Sequence, residues 1–455
     1  MSIIIAGERS GVGKTTVTLM LLAALSRRSQ KVQSFKVGPD YIDPMFHQEV
    51  TGRTCRNLDP VLTSEAYVQQ CFALHSQDAD YALIEGVMGL FDGASGADDY
   101  ASTAHIARLL ELPVILVLDC SRLSRSVAAI AHGYCTFDPR IQMAGVVLNR
   151  VGSDRHLELL TNALTSLNLP ILGVLRRQDS ITIPDRHLGL VPTAELNNVC
   201  ALTKELAHLG ETCFNWSKLL PLVKPTTRNL PVIESPAIQN PAAKVRVAIA
   251  RDPAFSFYYA DNLELLERLG AELFPWSPLR DPKIPEGIQG LYFGGGFPEV
   301  FAAELASNAQ AQAHVRAQIQ AGLPTYAECG GLMYLCEQII EFTGQAHRMV
   351  GILPSVAVMG KRLTLGYRQA VVLQNSPLMT QGTQVWGHEF HRSELKIKPR
   401  QPLFQMQGYA SNSPKKLEGW QIHQVHASYL HVHFGTQLDI PLRFVQQCQQ
   451  FIRSY

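Results

Sequence analysis

Two stretches of this 455-residue chain combine residue types and spacings that can do covalent chemistry. The first is Gly7-Glu8-Arg9-Ser10-Gly11-Val12-Gly13-Lys14-Thr15-Thr16, which follows the apolar run Ile3-Ile4-Ile5-Ala6. Glycines let a backbone curl until several N–H groups face one centre, and a helix beginning at Lys14 adds its positive end, so phosphate is held there. Gly11, Val12, Gly13, Lys14, Thr15 and Thr16 are therefore the expected ATP contacts, with the Lys14 ammonium on the outer phosphates and the Thr15 hydroxyl on Mg²⁺. The first glycine stands at 7, which makes the loop one residue longer than the common spacing.

The second stretch is Pro324-Thr325-Tyr326-Ala327-Glu328-Cys329-Gly330-Gly331-Leu332-Met333. It puts a cysteine on a sharp strand-to-helix turn, where sulfur is expected to be exposed and its pKa lowered by the helix N-terminus. Gly330 and the Gly294-Gly295-Gly296 loop, Gly295 and Gly296 in particular, would offer backbone N–H groups to an oxyanion. A thiol nucleophile needs a base, and Ala427-Ser428-Tyr429-Leu430-His431-Val432-His433-Phe434 supplies two imidazoles on one face of a short strand. His431 is the expected base and His433 its orienting partner. Half a metal site is the alternative, but no third ligand follows at suggestive spacing. The other eight cysteines read as small buried hydrophobes.

The elements that must position these groups are buried strands of a parallel α/β sheet. Strands are expected at Ile3–Ala6, Lys31–Val37, Tyr81–Ile84, Val114–Leu118, Ala144–Leu148 and Ile171–Leu175, the last followed by the segment 183–190. Such sheets bind ligands at the carboxyl ends of strands. There stand Gly38-Pro39-Asp40-Tyr41-Ile42-Asp43-Pro44 and Glu85-Gly86-Val87-Met88-Gly89-Leu90-Phe91-Asp92-Gly93. Asp40 and Glu85 join Thr15 as expected Mg²⁺ ligands, while Lys36, Tyr41, Ile42, Asp43 and Asp92 form the expected substrate region. Turn formation is the other reading of the aspartates. Asn149 would read an adenine edge or cap a helix.

Five prolines at 221, 225, 231, 236 and 241 mark an expected linker, because neither a helix nor a central strand tolerates that spacing. A second α/β pattern starts at Val245, with Asn262–Leu269 as a helix and Leu291–Phe293 as a strand. The expected division is 1–195, a linker over 196–243, and 244–455. A hydrophobic fraction of 46% supports packed cores, and a net charge of +1 leaves no footprint for nucleic acid or an acidic membrane. No apolar run reaches the roughly twenty residues that span a bilayer. Nine scattered cysteines, an odd number, point to a reducing, cytoplasmic setting rather than a disulfide framework.

Together with Gly-His-Glu-Phe-His at 387–391, these motifs run in order through nearly the whole chain and resemble the cobyrinate a,c-diamide synthase family. The first half is similar to dethiobiotin synthetase, a P-loop parallel-sheet fold, and the second to the class I, cysteine-dependent glutamine amidotransferases, a flavodoxin-like α/β fold. The resemblance implies ATP- and glutamine-dependent amidation of the a and c acetate side chains of a cobyrinate-type tetrapyrrole. ATP, Mg²⁺ and L-glutamine are the implied small molecules, and a homodimer is left open. Hydrogenobyrinate and nickel-sirohydrochlorin are alternative substrates. A partition-type nucleotide switch carrying an inactive amidotransferase-like module is a more distant reading. In ordinary class I amidotransferases a glutamate stands two residues after the base histidine; here that position is His433, and only the Cys329–His431 pair carries over.

Overall fold

The computed structural model describes residues 2–29, 31–177, 181, 184–186, 189–196, 198–223, 244–410 and 412–452. The chain forms two compact units, Met1–Ile233 and Glu234–Tyr455.

The first unit is built on β1 (Ile3–Gly7), β2 (Val32–Val37), β3 (Arg56–Leu58), β4 (Tyr81–Glu85), β5 (Val114–Asp119), β6 (Met143–Val151) and β7 (Ile171–Arg176). They form one parallel sheet in the order β3-β2-β4-β1-β5-β6-β7. Ile3, Ile4, Ile5 and Ala6 are fully buried, as a strand covered on both faces must be. Helices α1 (Lys14–Ser26), α2 (Ile42–Thr51), α3 (Glu65–Ser76), α4 (Thr103–Leu110), α5 (Ser126–Thr136) and α6 (Asp154–Leu164) follow the strands. Short edge strand β3 is absent from the sequence-based expectation, since three residues carry no period. The segment 183–190 contributes the two-residue strands β8 (Asp185–Arg186) and β9 (Gly189–Leu190), paired antiparallel; Ile183, His187 and Leu188 lie outside the described residues.

The expected linker is corrected over 196–223. Two helices occupy it, α7 (Val199–Thr212) and α8 (Trp216–Val223), with Pro221 inside the second. Tertiary packing outweighs the proline. Helix α1 is apolar all round, with every residue from Val17 to Leu25 buried, so it needs cover on the face turned from the sheet. That cover is α7: a Cβ on Gly210 would stand 2.2 Å from the Met20 carbonyl oxygen. Trp216 donates from Nε1 to the Gly210 carbonyl and carries the Arg28 guanidinium over its ring. Pro225, Pro231, Pro236 and Pro241 lie outside the described residues.

In the second unit β10 (Val245–Ala250), β11 (Ala271–Trp276), β12 (Gly290–Phe293) and β13 (Thr325–Glu328) alternate with α9 (Ala260–Arg268), α10 (Ala302–Ser307) and α11 (Ala309–Gln320). Helix α12 (Gly330–Leu335) then leads into β14 (Cys336–Ile340), β15 (Ala346–Arg348), β16 (Leu353–Val372), β17 (Gln384–Leu395), β18 (Phe404–Gly408) and β19 (Lys416–Glu418). The chain returns through β20 (Trp420–Ile422), β21 (Val425–Ser428) and β22 (His431–Val432) to α13 (Asp439–Ile452). One sheet runs β11-β10-β12-β13-β21-β20, parallel except for β20. The other runs β15-β14-β16-β17-β22 and is mostly antiparallel. This second sheet was not expected. Its signal is the alternation in β16, where Leu353, Ser355, Ala357 and Met359 are buried and their neighbours are not.

All nine cysteines are free, and among the described residues no helix is long and apolar enough to cross a membrane. If α7 is integral to the first unit, Gly210→Ala overpacks the α1 contact and destabilises the unit by about 1–3 kcal/mol. In denaturant titration Gly133→Ala, on an open face of α5, is the control and is expected to stabilise by about 0.5–1 kcal/mol.

Candidate active sites

In the first unit β1 ends at Gly7 and the chain curls back to α1. A Cβ on Gly7 would stand 2.6 Å from Val12 Cγ2, and Gly11 and Gly13 have φ of 77° and 96°, so the turn needs glycine at all three. Asn149, at the end of β6, neither faces open space nor caps a helix. Its Nδ2 donates to the Val12 carbonyl at 2.8 Å, bracing the loop. Arg150 reinforces this from its left-handed backbone (φ 60°), donating to the Gly11 carbonyl at 3.1 Å and to Asp119 at 2.5 Å. Arg9 reaches the same Asp119 at 3.0 Å.

Lys14 curls over the loop and donates to the carbonyls of Met88 (2.5 Å) and Arg9 (3.2 Å). Burial, helped by the like charge of Lys36, lowers its ammonium to about 8. Below it lies a buried charge cluster. Thr15 Oγ1 donates to Glu85 Oε1 at 2.6 Å and lies 3.3 Å from Asp43 Oδ2, while Lys36 Nζ bridges Asp43 (2.6 Å) and Glu85 (2.9 Å). Burial alone would raise the Glu85 carboxyl, but Lys36 and then His47 hold it far below the usual range. Asp43 is pushed up to about 7, by burial first and by Asp40 next.

The two aspartates are held differently. Asp40 Oδ1 accepts from the Ile42 and Asp43 amides at the start of α2, whereas Asp43 reaches Thr15. Tyr41 and Ile42 are buried at that helix start. Asp92 accepts from the Gly89 amide at 2.8 Å and shapes the 86–93 loop. Thr16 sits in the first turn of α1. His47, which sequence reasoning missed, is fully buried with Nε2 2.7 Å from Glu85 Oε2 and Nδ1 3.4 Å from Cys55. A lone histidine inside a helix gives no signal of this. Thr15, Asp43 and Glu85 offer hard oxygen donors only, a set that suits Mg²⁺.

In the second unit the turn at Cys329 is as expected, but its consequence for the thiol is not. The residue has φ 47° and ψ −97°, a conformation costing about 1–3 kcal/mol, held by Cys329 N–H to the Ser428 carbonyl (2.8 Å) and Met333 N–H to the Cys329 carbonyl (3.0 Å). Only 5% of the residue is exposed, and α12 is six residues long. Burial, with Glu299, Glu328 and Glu389 nearby, pushes the thiol well above its ordinary value, against a lowering bond from the Gly330 amide. The expected low pKa is therefore corrected: the sulfur rests as a thiol and depends on a base.

The backbone donors converge. The position of a Gly330 Cβ lies 3.1 Å from the Gly296 amide nitrogen, and Gly331 N–H donates to the Gly294 carbonyl at 3.1 Å. A Cβ on Gly295 would stand 2.6 Å from His431 Cε1. That contact brings the triple-glycine loop and the base together. β21 runs beside β13 with Ser428 opposite Glu328, and the chain then turns, Leu430 N–H donating to Ser428 Oγ, to deliver His431. On its other side His431 pairs with His388 of β17, whose Phe390 carbonyl lies 4.0 Å from Cys329 Sγ. Burial and His431 drive His388 far below its usual value, so it is a neutral imidazole.

His433 does not take the place expected of it. Its Nε2 lies 3.6 Å from Asp261 and its ring packs on Tyr259. The carboxylate facing His431 Nδ1, at 3.6 Å, belongs to Glu328. No sequence spacing announces this, because the contact is made across the sheet.

Comparison with known proteins agrees with this geometry. Residues 3–191 match the CobQ/CobB/MinD/ParA nucleotide binding domain family and residues 246–438 the CobB/CobQ-like glutamine amidotransferase domain family. The first unit is a nucleotide-binding α/β domain and the second a glutamine amidotransferase. The chain is 60% identical over 452 residues to a cobyrinate a,c-diamide synthase of a Synechococcus strain, covering 99% of each chain. It is 53% identical to a cobyrinate a,c-diamide synthase of a Synechocystis strain, over 99% of this chain and 94% of that one. It is 42% identical to a hydrogenobyrinate a,c-diamide synthase of Streptomyces coelicolor, over 98% and 97%. The chain belongs to the cobyrinate a,c-diamide synthase family, whose members are ATP-using, glutamine-dependent carbon–nitrogen ligases.

Two glycine variants should separate the two sites. Gly13→Ala drives a Cβ to 2.3 Å from Asn149 Nδ2 at a positive φ, and is expected to abolish ATP-dependent synthesis from either glutamine or ammonia. Gly295→Ala displaces His431 and is expected to lower glutamine hydrolysis by about 100-fold or more while sparing synthesis from ammonia, as paired steady-state assays would measure.

Proposed function

We propose that this chain amidates the a and c carboxylates of cobyrinate, drawing energy from ATP and nitrogen from glutamine. A carboxylate is a poor acyl donor because its leaving group would be oxide. Transfer of the γ-phosphoryl group onto it gives an acyl phosphate that ammonia attacks. Lys14 and the amides of Gly11, Val12 and Gly13 hold and neutralise the phosphates, and Thr15, Asp43 and Glu85, with Asp40 behind them, are the residues that would hold Mg²⁺. When bound, that ion supplies positive charge against the charge developing on the transferred phosphoryl group. Lys36 and His47 hold the Glu85 carboxyl in its ionised form.

Ammonia at neutral pH is mostly ammonium and cannot attack, so its release from glutamine as the neutral molecule supplies the reactive form. Cys329 Sγ gives its proton to His431 and attacks the glutamine amide carbon. The amides of Gly330 and Gly296 take the oxyanion, His431 returns the proton to the leaving ammonia, and water clears the thioester to glutamate. The observation that supports this reading is that the Gly294–Gly296 loop after β12 lies against Gly330, the residue following Cys329, and against the His431 ring at the same time. Cobyrinate is favoured over hydrogenobyrinate by the names of the more similar relatives. A homodimer is compatible with this reading, and light scattering on the purified chain measures it.

Cys329→Ser should lower glutamine-dependent synthesis by about 1,000-fold or more and leave ammonia-dependent synthesis within about two-fold of wild type. A Ser variant that still uses glutamine overturns the assignment. With cobyrinate and hydrogenobyrinate offered separately, mass spectrometry should find two amides added, and a higher kcat/KM on the cobalt-containing ring.

A further inference from the structure

The ordinary third member of the nucleophile–base–carboxylate set is missing from its sequence position, and the residue standing there, His433, is engaged with Asp261. Yet a buried imidazole that must accept a thiol proton needs its other nitrogen fixed. Otherwise half of its neutral molecules carry the proton on the wrong side. We propose that Glu328, the residue just before the nucleophile, is the positioning residue that fixes the tautomer of His431 and balances the imidazolium formed when Cys329 loses its proton. This rests on the assignment of Cys329 and His431 made above.

The geometry supplies what the role requires. Glu328 is 1% exposed and its Oε2 lies 3.6 Å from His431 Nδ1, which leaves Nε2 as the nitrogen that receives the thiol proton. The carboxylate is itself held from three sides. Oε1 accepts from the Val432 amide at 3.1 Å and from the Tyr326 hydroxyl, and Oε2 accepts from the Tyr292 hydroxyl at 3.4 Å. Burial pushes both phenols well above their ordinary values, so they remain donors at any pH the enzyme meets. The two tyrosine rings stack on one another at 4.7 Å, which leaves the carboxylate little freedom to turn.

Chain geometry explains why this residue can serve. Successive side chains of a strand point to opposite faces. Glu328, the last residue of β13, projects on the opposite side from Ala327, while the chain breaks into the turn at Cys329. The nucleophile assigned above and the orienting carboxylate are thereby adjacent in sequence, and it is the carboxylate that the structure sets 3.6 Å from the imidazole. The Val432 amide that Glu328 accepts from is the peptide immediately after His431, so one carboxylate fixes both the backbone and the ring of the base.

The test is Glu328→Gln, in which a side-chain oxygen still accepts from Val432 and Tyr326 but the amide group can no longer balance an imidazolium. Glutamine hydrolysis is expected to fall by about 100-fold or more in kcat with little change in KM, while ammonia-dependent synthesis stays within about two-fold of wild type. The decisive readout is the rate of Cys329 alkylation by iodoacetamide against pH, followed by mass spectrometry of the full-length protein. Glu299, Glu389 and Tyr429 face the thiol, and His388 faces His431. All of these are unchanged by the substitution. The Glu328 charge also raises the thiol directly, so its loss acting on the sulfur alone would lower the inflection. Only a rise reports the lost balance of the imidazolium, and a fall overturns the proposal. The inflection should move upward by about one pH unit or more in Glu328→Gln and by a smaller amount in Glu328→Asp, which keeps the charge but holds it one methylene farther from the imidazole.

Tyr326→Phe, which removes a support of the same carboxylate and keeps its charge, should leave the inflection in place. An alkylation profile in Glu328→Gln that overlays wild type overturns the proposal, as does a loss of hydrolysis matched by Tyr326→Phe. Should the Gln variant fail to fold, Glu328→Asp alone decides. Its carboxylate is one methylene short of the imidazole, and an unmoved inflection with full hydrolysis overturns the proposal. Retention of hydrolysis by Cys329→Ser would instead show that the underlying nucleophile assignment had failed.

Discussion

The second unit depends on one strained peptide. At Cys329 the backbone leaves the sheet with a positive φ that a residue with a side chain adopts only under compulsion. The compulsion comes from both sides: the Ser428 carbonyl takes the Cys329 amide, and α12 must start at once because Gly331 is already bonded to the triple-glycine loop. Bent here, the chain sets the sulfur beside the Gly330 amide and 4.0 Å from the Phe390 carbonyl of the other sheet.

The first unit meets a different constraint with similar means. Glu85, Asp43, Lys36 and His47 are withdrawn from water almost completely, and isolated charges so placed would each cost several kcal/mol. They survive because each faces an opposite partner within 3 Å. The cost is accepted where three strands end side by side, since that is where phosphate and its counter-ion must be gripped. Asn149 and Arg150, from a strand two places away, keep the loop above the cluster in shape.

How much of this the sequence discloses follows from the range of the interactions. Local geometry was legible: the phosphate loop, the longer buried strands of the first sheet, β10 and β12 of the second unit and the turn at Cys329 each declare themselves within ten residues, whereas β3 and β11 do not. Contacts across sheets were not. Asp40 and Asp43 are three residues apart, and nothing in their spacing says which one turns inward to Thr15 and which caps α2. The pKa of Cys329 was misjudged because a short helix suggests a helix dipole, whereas burial and three carboxylates, two of them distant in sequence, decide the matter. Helix α8 was hidden by Pro221, and α7, which covers α1, was taken into the linker drawn from the prolines beyond it.

A sulfur that rests protonated, walled in and ringed by negative charge is a poor target for the oxidants and electrophiles of a living cell, which seek exposed thiolates. The enzyme therefore carries its reactive atom in a dormant form. Its proton must first be taken, so the same wall of atoms that shields the sulfur makes its chemistry wait on a base.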